Sequence, residues 1–278
     1  MTLGGGAHIV VFGNEKGGSG KTTAAMHVAA ALARLGKRVA AIDLDLRQKS
    51  FHRYLENRVA FRTRVDPALA MPEILAFQPS AAKSLDDAAE EDATRFDALL
   101  TETRAYLDFV VIDTPGAATP LSRLAHAMAD TLVTPLNDSF VDFDLLAQVD
   151  PVDFAIKRPS LYSDFVWDCR KKRLLKRLPA LDWLVMRNRI ASTEARNKRR
   201  VANALDALSG RIGFRVAQGF GERVIFRELF PMGLTMLDLP QPGVEISLSM
   251  SHVAARQEVR ELLTALKLPG LGARAASV

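Results

Sequence analysis

Short runs of almost wholly apolar residues recur along the chain and alternate with longer segments of helical spacing. Runs of this kind are typical of strands that are buried on both faces of a sheet. Because strands that alternate with helices favour right-handed parallel connections, the pattern predicts an α/β fold with a doubly wound, mostly parallel sheet flanked by helices. The predicted strands are residues 8–12, 38–44, 107–113, 131–136 and 182–187.

Two predicted helices stand out beside these strands. The first runs from about residue 21 to residue 35 and ends at Gly36, a residue type that favours helix C-termini. The second is a helical tail at about 252–268, which we expect to pack on the domain and not on a membrane, because Pro269 follows it and no aromatic residue comes after. Its apolar stripe consists of Val259, Leu262, Leu263 and Leu266. Without a repeat or a linker, residues 1–278 are predicted to form a single domain.

Composition narrows the class of protein. The 278 residues are 48% hydrophobic and 25% charged, which excludes global disorder and fibrous repeats. The single cysteine, Cys169, can form no internal disulfide, and it excludes Cys-based zinc or iron–sulfur sites within one chain. No run of about 18 apolar residues is present, and no basic region precedes the apolar stretch at the N-terminus. We therefore expect a cytoplasmic protein without signal peptide or transmembrane helix.

The net charge of +5 hides a division between the two halves of the chain. Residues 1–150 contain 15 Lys and Arg against 20 Asp and Glu, a net charge of −5, whereas residues 151–278 contain 22 against 12, a net charge of +10. Such asymmetry favours contact between the second half and a polyanion, and an ordinary solvated surface is the alternative.

The segment 14–23, with the sequence NEKGGSGKTT, lies between the first predicted strand and the first predicted helix. Its glycines let backbone N–H groups converge on phosphate oxygens without a Cβ in the way. Lys21 would reach the β- and γ-phosphates of a nucleotide, and the Thr22 hydroxyl would ligate Mg²⁺ at the start of the helix. The predicted nucleotide-binding residues here are Lys16, Gly17, Gly18, Ser19, Gly20, Lys21, Thr22 and Thr23.

Acidic residues follow or end two of the predicted strands. Asp43 and Asp45 lie at the end of the second strand, and Asp113 ends the third, in VVIDTPG. Ligands of open α/β sheets bind beyond the carboxyl ends of the strands, so these carboxylates are expected beside the phosphate loop. Phosphoryl transfer depends mostly on positioning and charge neutralisation, and carboxylates can divide this work between Mg²⁺ and an attacking water. The candidate metal ligands are therefore Thr22, Asp43 and Asp113.

The phosphate loop departs from the general pattern, because Glu15 stands where a first glycine is usual and Lys16 follows it. The string KGGSGKT, residues 16–22, resembles the deviant Walker A box of the ParA/MinD family of P-loop ATPases. This resemblance implies that Lys16 contacts the nucleotide of a second subunit, so that two monomers enclose two molecules of ATP. It also implies that Asp45 positions the attacking water. The implied catalytic residues are Lys16, Lys21 and Asp45.

Segments in the second half of the chain indicate which group of the ParA/MinD family the sequence resembles. Asn188 matches the position from which relatives hydrogen-bond adenine. The segments AIDLDLRQKS, RNRIASTEARNKRR and ERVIFRELFPMGLTMLDL are similar to the MipZ group of division-site positioning ATPases. That resemblance implies an ATP-bound homodimer that binds DNA nonspecifically at the nucleoid, associates with the centromere-binding protein ParB and inhibits FtsZ assembly, with no membrane as partner.

Basic residues concentrate in one part of the second half. Residues 170–200 contain twelve Lys and Arg but only two acidic residues. No zinc-finger, RNP or helix-turn-helix pattern accompanies them, so any DNA contact is predicted to be with phosphates and independent of sequence. The candidate DNA-binding residues are Arg196, Lys198, Arg199, Arg200, Arg223 and Arg227. A basic surface that serves solubility remains the alternative.

Two other functions stay open. A ParA-type chromosome or plasmid segregation ATPase would share the switch but would not block FtsZ assembly. A metabolic P-loop kinase or ligase would require a small second substrate, and it would have no use for Lys16 as a contact to a partner's phosphate.

Overall fold

A seven-stranded sheet in which every pairing is parallel forms the centre of the computed structural model. The structure describes residues 6–137, 139–150, 156–189, 195–239 and 249–278, except for the side chains of 140, 141, 149, 195–199 and 277. In spatial order the strands are β3 (Glu73–Leu75), β2 (Val39–Asp43), β4 (Phe109–Asp113), β1 (His8–Phe12), β5 (Thr131–Asn137), β8 (Asp182–Asn188) and β9 (Arg215–Gln218). Two further strands, β6 (Ala147–Val149) and β7 (Ile156–Pro159), form an antiparallel ribbon.

Helices cover both faces of the sheet. One face packs against α1 (Lys21–Arg34), α2 (Ser50–Arg64), α8 (Ile225–Glu228) and α9 (Met250–Leu266). The other packs against α3 (Leu85–Arg104), α4 (Pro120–Met128), α6 (Leu161–Leu175) and α7 (Ala195–Ile212). A short helix, α5 (Phe140–Phe143), follows β5, and 3₁₀ turns lie at Phe230–Met232 and Gly272–Ser277. None of the helices in the described ranges has the length and apolar character needed to span a bilayer.

The central strands are buried on both faces, which explains their unbroken apolar sequence. Along β1, Val10 and Phe12 belong to the core under α1, whereas Ile9 and Val11 belong to the core under α4. Side chains that alternate in this way bury nearly the whole strand, so a continuous apolar run is required.

The register of the sheet brings three functional segments to one edge. Phe12, which precedes the phosphate loop, pairs with Asp113 across β1 and β4, and Asp43 pairs with Asp113 across β2 and β4. The loop after β1 leads to α1 on one face, whereas the loop after β4 leads to α4 on the other. This divergence opens a crevice at the carboxyl ends of β1 and β4, the usual place for a ligand in such a sheet.

The predicted fold class is confirmed, and the five predicted strands correspond to β1, β2, β4, β5 and β8. Gly36 follows α1 with a positive φ of 74°, as a C-terminal glycine should. The apolar stripe of the tail helix, α9, is buried in the same core that α1 lines. The strands β3, β6, β7 and β9 were not predicted.

Candidate functional site

The phosphate loop connects β1 to α1 and is closely packed on its neighbours. Gly18 and Gly20 have φ values of 72° and 92°, in the left-handed region that favours glycine. A Cβ at Gly116, in the loop after β4, would lie 2.8 Å from the backbone nitrogen of Gly17. Glycine at 116 therefore lets the loop after β4 approach the phosphate loop closely.

Lys21 is the buried cation of the site. Its side chain turns back over the loop, where Nζ donates a hydrogen bond of 2.9 Å to the carbonyl oxygen of Lys16. Burial lowers the pKa of Lys21, while the charges of Asp113 and Asp45 oppose this effect. A buried ammonium facing a glycine-rich loop and carboxylates suits the binding of an anion.

Thr22 and Asp113 form the acidic part of the site. The Thr22 hydroxyl donates to Oδ2 of Asp113 over 2.5 Å. Asp113 is 2% exposed, and its Oδ1, like Oγ of Ser19, is buried with no hydrogen-bond partner among the described residues. Burial raises the pKa of Asp113 to about 8. Buried oxygens left without partners fit a site that is completed by a cation and by phosphate oxygens.

These groups fit Mg²⁺ in a particular way. Within the described ranges, no three His, Cys, Asp or Glu side chains converge closely enough to hold a metal ion by themselves. Mg²⁺ in nucleotide sites usually takes one or two protein oxygens and completes its shell with water and phosphate. Thr22 and Asp113 are placed to supply those protein oxygens.

Asp43 and Asp45 lie one strand away, at the end of β2. The two oxygens of Asp43 accept hydrogen bonds from the backbone N–H groups of Asp45, at 2.9 Å, and His52, at 3.0 Å. Burial raises the pKa of Asp43. Oδ1 of Asp45 accepts from the backbone of Gln48 at 3.0 Å. The structure thus brings both aspartates to the site, and it shows Asp43 organising the turn into α2; its role as a metal ligand stays a prediction.

Asn188 secures the phosphate loop from β8. Its Nδ2 donates to the carbonyl oxygen of Ser19 over 2.7 Å, and its Oδ1 accepts from the backbone of Phe220 over 3.1 Å. A Cβ on Gly20 would lie 2.1 Å from Nδ2 of Asn188, so Gly20 is required for this contact. The amide is buried and engaged at both ends, and its contact with adenine stays a prediction.

Lys16 and Thr23 complete the predicted loop residues. Nζ of Lys16 forms an ion pair of 3.1 Å with Asp142 of α5, and its side chain is 36% exposed. The carbonyl oxygen of Thr23 interacts with Nδ1 of the buried His27 over 2.8 Å. Lys16 is thus accessible at the rim of the site, and its contact with a second subunit stays a prediction.

Two residues that position the loop are not among the predicted site residues. Asn14 is buried, and its side chain accepts from the backbone of Lys16 and donates to the carbonyl of Pro135. Tyr162 of α6 donates from its hydroxyl to the carbonyl of Gly13 over 3.0 Å. Tyr162 is far away in the chain, and one aromatic residue on an amphipathic helix gives no signal of such a contact.

The predicted DNA-binding residues differ in their surroundings. Arg200 and Arg227 are exposed. Arg223 is 22% exposed and ion-paired with Glu258 at 2.5 Å, and it also donates to Ser251. The candidates whose side chains lie outside the described residues, although the backbone of α7 includes them, are Arg196, Lys198 and Arg199.

Similarity to known proteins is concentrated in one group of ATPases. The family model for the ATPase MipZ matches residues 8–270. The septum site-determining protein MinD of Synechocystis sp. is 32% identical over 139 residues, 45% of this chain and 51% of that protein. The chromosome-partitioning ATPase Soj of Thermus thermophilus is 31% identical over 141 residues, 47% of this chain and 55% of that protein. The chain spans about half the length of the curated relatives it matches.

The fold also recurs among solved structures. The ATP complex of a McdA variant from Cyanothece aligns with a TM-score of 0.60 and 16% identity, over 96% of this chain and 99% of that chain. At this identity the likeness concerns the fold, and it agrees with the doubly wound P-loop sheet described above.

Proposed function

Because this chain belongs to the MipZ family of ATPases, we propose that it is a nucleotide-dependent switch that hydrolyses ATP slowly and dimerises when ATP is bound. The main support is the buried Thr22–Asp113 pair, with its unpartnered carboxylate oxygen, directly beside the phosphate loop. The charged form of a buried acid is costly unless a cation completes its surroundings, and the raised pKa of Asp113 reflects that cost. ATP with Mg²⁺ is the proposed ligand.

Each group at this edge of the sheet has a part in the proposed hydrolysis. The backbone N–H groups of residues 17–20 hold phosphate oxygens, and Lys21 neutralises their charge. Thr22 and Asp113 would hold Mg²⁺, which would supply further charge neutralisation when bound. Asp45 orients the attacking water, and this interaction gains its full effect only in the transition state.

Lys16 is the residue that makes the proposed site depend on a dimer. In one subunit its ammonium forms an ion pair with Asp142 of α5. We propose that Lys16 leaves Asp142 and contacts the ATP of a second subunit. Two subunits would then enclose two ATP molecules, and the concentration of dimer would follow ATP.

The dimer is proposed to position the division site in the cytoplasm, at the nucleoid. It would bind DNA nonspecifically, associate with a ParB-like protein and inhibit FtsZ assembly, with residues 1–278 acting as one ATPase domain. Support comes from the family and from the +10 charge of residues 151–278. A ParA-type segregation ATPase is the second candidate, favoured by the similarity to Soj, and an FtsZ assembly assay separates the two.

Two variants test the proposed switch by size-exclusion chromatography and phosphate release. Asp45→Ala is expected to bind ATP and dimerise while losing about 10²-fold or more in turnover, because a group that orients water acts in the transition state. Lys16→Ala is expected to bind ATP yet remain monomeric. The exposed Asp97→Ala and Lys83→Ala are the matched controls and should behave as wild type. Normal turnover in Asp45→Ala, or ATP-dependent dimers of Lys16→Ala, would show the assignments to be wrong.

A further inference from the structure

An apolar groove with a basic rim lies between α3, α4 and α6, on the face of the sheet opposite α1. Its volume is about 610 Å³, within the range of sites that take a ligand or a peptide side chain. We call it the α4/α6 groove. The large apolar side chains that line it are Leu121, Leu124, Met128, Phe165, Leu175 and Leu178.

Helix α6, which forms one wall of this groove, exposes several large apolar side chains. Leu175, in its wall, is 84% exposed, and Leu174 beside it is 77% exposed. Trp167, two turns earlier on the outer side of the helix, is 56% exposed. Single exposed apolar residues are ordinary, but several large ones gathered on one helix mark an interaction surface.

The rim of the groove is basic. Arg123, Lys172 and Lys176 line it, and none of them forms an ion pair with another residue in the described part of the chain. Two acids also line the groove: Asp168, which pairs with Lys171 at 2.7 Å, and Asp92, which accepts from the backbone of Ser80 at 2.6 Å. With the buried Arg173, the cations that line the groove are four against two acids, so its charge is positive.

The walls of the groove are fixed before any partner arrives. The buried Arg173 donates to Asp130 at 2.7 Å and to the carbonyl oxygens of Met128 and Pro179, which ties the end of α6 to α4. The guanidinium of Arg123 lies 5.0 Å from the centre of the Phe165 ring. A preformed groove loses less conformational entropy when it binds than a mobile one does.

We propose that the α4/α6 groove docks an acidic amphipathic segment of a partner protein, with bulky apolar side chains on the floor and Asp or Glu against the rim. The charge of the rim selects an anionic partner, and the recessed floor selects side chains that project from a helix. A flat bilayer would not reach the floor, and a DNA duplex has no apolar side chains to fill it. The groove lies apart from the nucleotide site and does not use its residues.

Synthetic peptides test this docking by fluorescence anisotropy. The probe is a labelled 18-residue helix-forming peptide with Leu at i, i+3, i+4 and i+7 and Glu at the other positions. It is expected to bind the wild-type chain with a Kd below about 100 μM, a modest affinity for a peptide in a groove. The same peptide with Lys in place of Glu, and a Glu-rich peptide without Leu, are expected to bind at least tenfold more weakly.

Matched variants locate the binding. Two variants change side chains that line the groove: Leu175→Ser, and the double variant Lys172→Glu and Lys176→Glu. Each should lower the affinity for the acidic peptide at least fivefold. Leu161→Ser, at the exposed start of α6, and Lys83→Glu should leave it unchanged. No binding up to 1 mM, equal binding of the Lys peptide, or equal losses in the control variants would overturn the proposal. A different result is that the chain sediments with phosphatidylglycerol vesicles, loses this binding in the groove variants and fails to bind the peptide. That result would overturn the proposal in favour of a membrane.

Discussion

Several side chains at the carboxyl edge of the sheet hold two elements together while facing the site. Asp43 joins the end of β2 to the start of α2 through the backbone of His52, and Asn188 joins the phosphate loop to the segment that follows β9. Removing one such partner leaves a buried group unsatisfied, at a cost of about 1–3 kcal/mol. A loss of activity in variants of these two residues would therefore mix structure with chemistry. Asp45, whose bond to Gln48 is exposed, gives a cleaner test.

Two buried histidines make the stability of the fold depend on pH. His27 and His126 are each at most 2% exposed, and burial lowers the pKa of each from 6.5 to about 4. The unfolded chain therefore takes up protons first as the pH falls, and stability is lost between pH 6.5 and 4. From pH 7 to pH 5 each histidine should remove about 2 kcal/mol from the free energy of unfolding.

Urea unfolding of wild type, His27→Gln and His126→Gln at both pH values measures this effect. Each variant should show a drop from pH 7 to pH 5 that is about 2 kcal/mol smaller than the wild-type drop. Asp113 acts in the opposite direction, because its raised pKa favours the folded state as the pH falls. That contribution is common to all three proteins and cancels in the comparison. The same pH dependence in wild type and both variants would contradict the prediction.

At the scale of elements, the burial of a strand decides whether the hydrophobic pattern predicts it. β1, β4 and β8 are covered on both faces, so their apolar runs stand out from the polar helices around them. β3 and β9 are the edge strands, with only three and four residues, and they contain polar residues that an apolar run does not predict. The sequence pattern does not predict β6 and β7 either, because short half-exposed strands have no distinctive hydrophobic period.

The link between α6 and the phosphate loop is a testable property of one element. Replacing Tyr162 with Phe removes the hydroxyl that donates to the Gly13 carbonyl and also contacts Thr134 and His126. The buried groups left behind should cost about 1–3 kcal/mol of stability. Because Gly13 begins the loop, ATP affinity should also fall severalfold.

Calorimetric titration with a non-hydrolysable ATP analogue, beside urea unfolding, checks both effects. Tyr106→Phe is the matched control, since the Tyr106 hydroxyl bonds Glu73 at an exposed site, and its loss should change stability by less than about 0.5 kcal/mol. A Tyr162→Phe protein that is less stable yet binds the nucleotide as tightly as wild type would show that α6 does not position the loop.

At the scale of the whole molecule, the sequence predicts those parts of the site that a short continuous segment defines. The loop 14–23 and the strand-end acids have local signatures, and the sheet register brings Asp43 and Asp113 together as the α/β pattern implies. The supporting groups come from distant segments: Tyr162 of α6 bonds the Gly13 carbonyl, and the backbone of Phe220, after β9, bonds Asn188. Such contacts depend on how helices pack across the sheet, which the periodicity of one helix does not encode.

Binding to DNA should depend on both halves of the molecule. Phosphate contacts release counterions, with a salt slope of about −0.9 for each phosphate neutralised. An ATP-locked dimer presents the basic surface twice, so it should bind random duplexes with a steep salt dependence that the ADP-bound chain lacks. A triple variant in which Arg196, Arg199 and Arg200 of α7 are changed to Ala should bind DNA more weakly, and by the same factor for every DNA sequence. If each arginine contacts one phosphate, the dimer loses up to six contacts, and the slope should flatten by as much as about 5.

Interferometry over a series of salt concentrations, with the Asp45→Ala background to hold the dimer, measures the slope. The matched control changes to Ala three exposed arginines of one helix on the opposite face, Arg53, Arg62 and Arg64 of α2. This control removes the same charge, so a general electrostatic effect would weaken both triple variants alike. Binding through α7 instead requires that only the α7 variant loses affinity while its ATP-dependent dimerisation persists. Equal slopes in the two variants, or equal affinity with ATP and ADP, would mean that the basic half of the chain is an ordinary solvated surface.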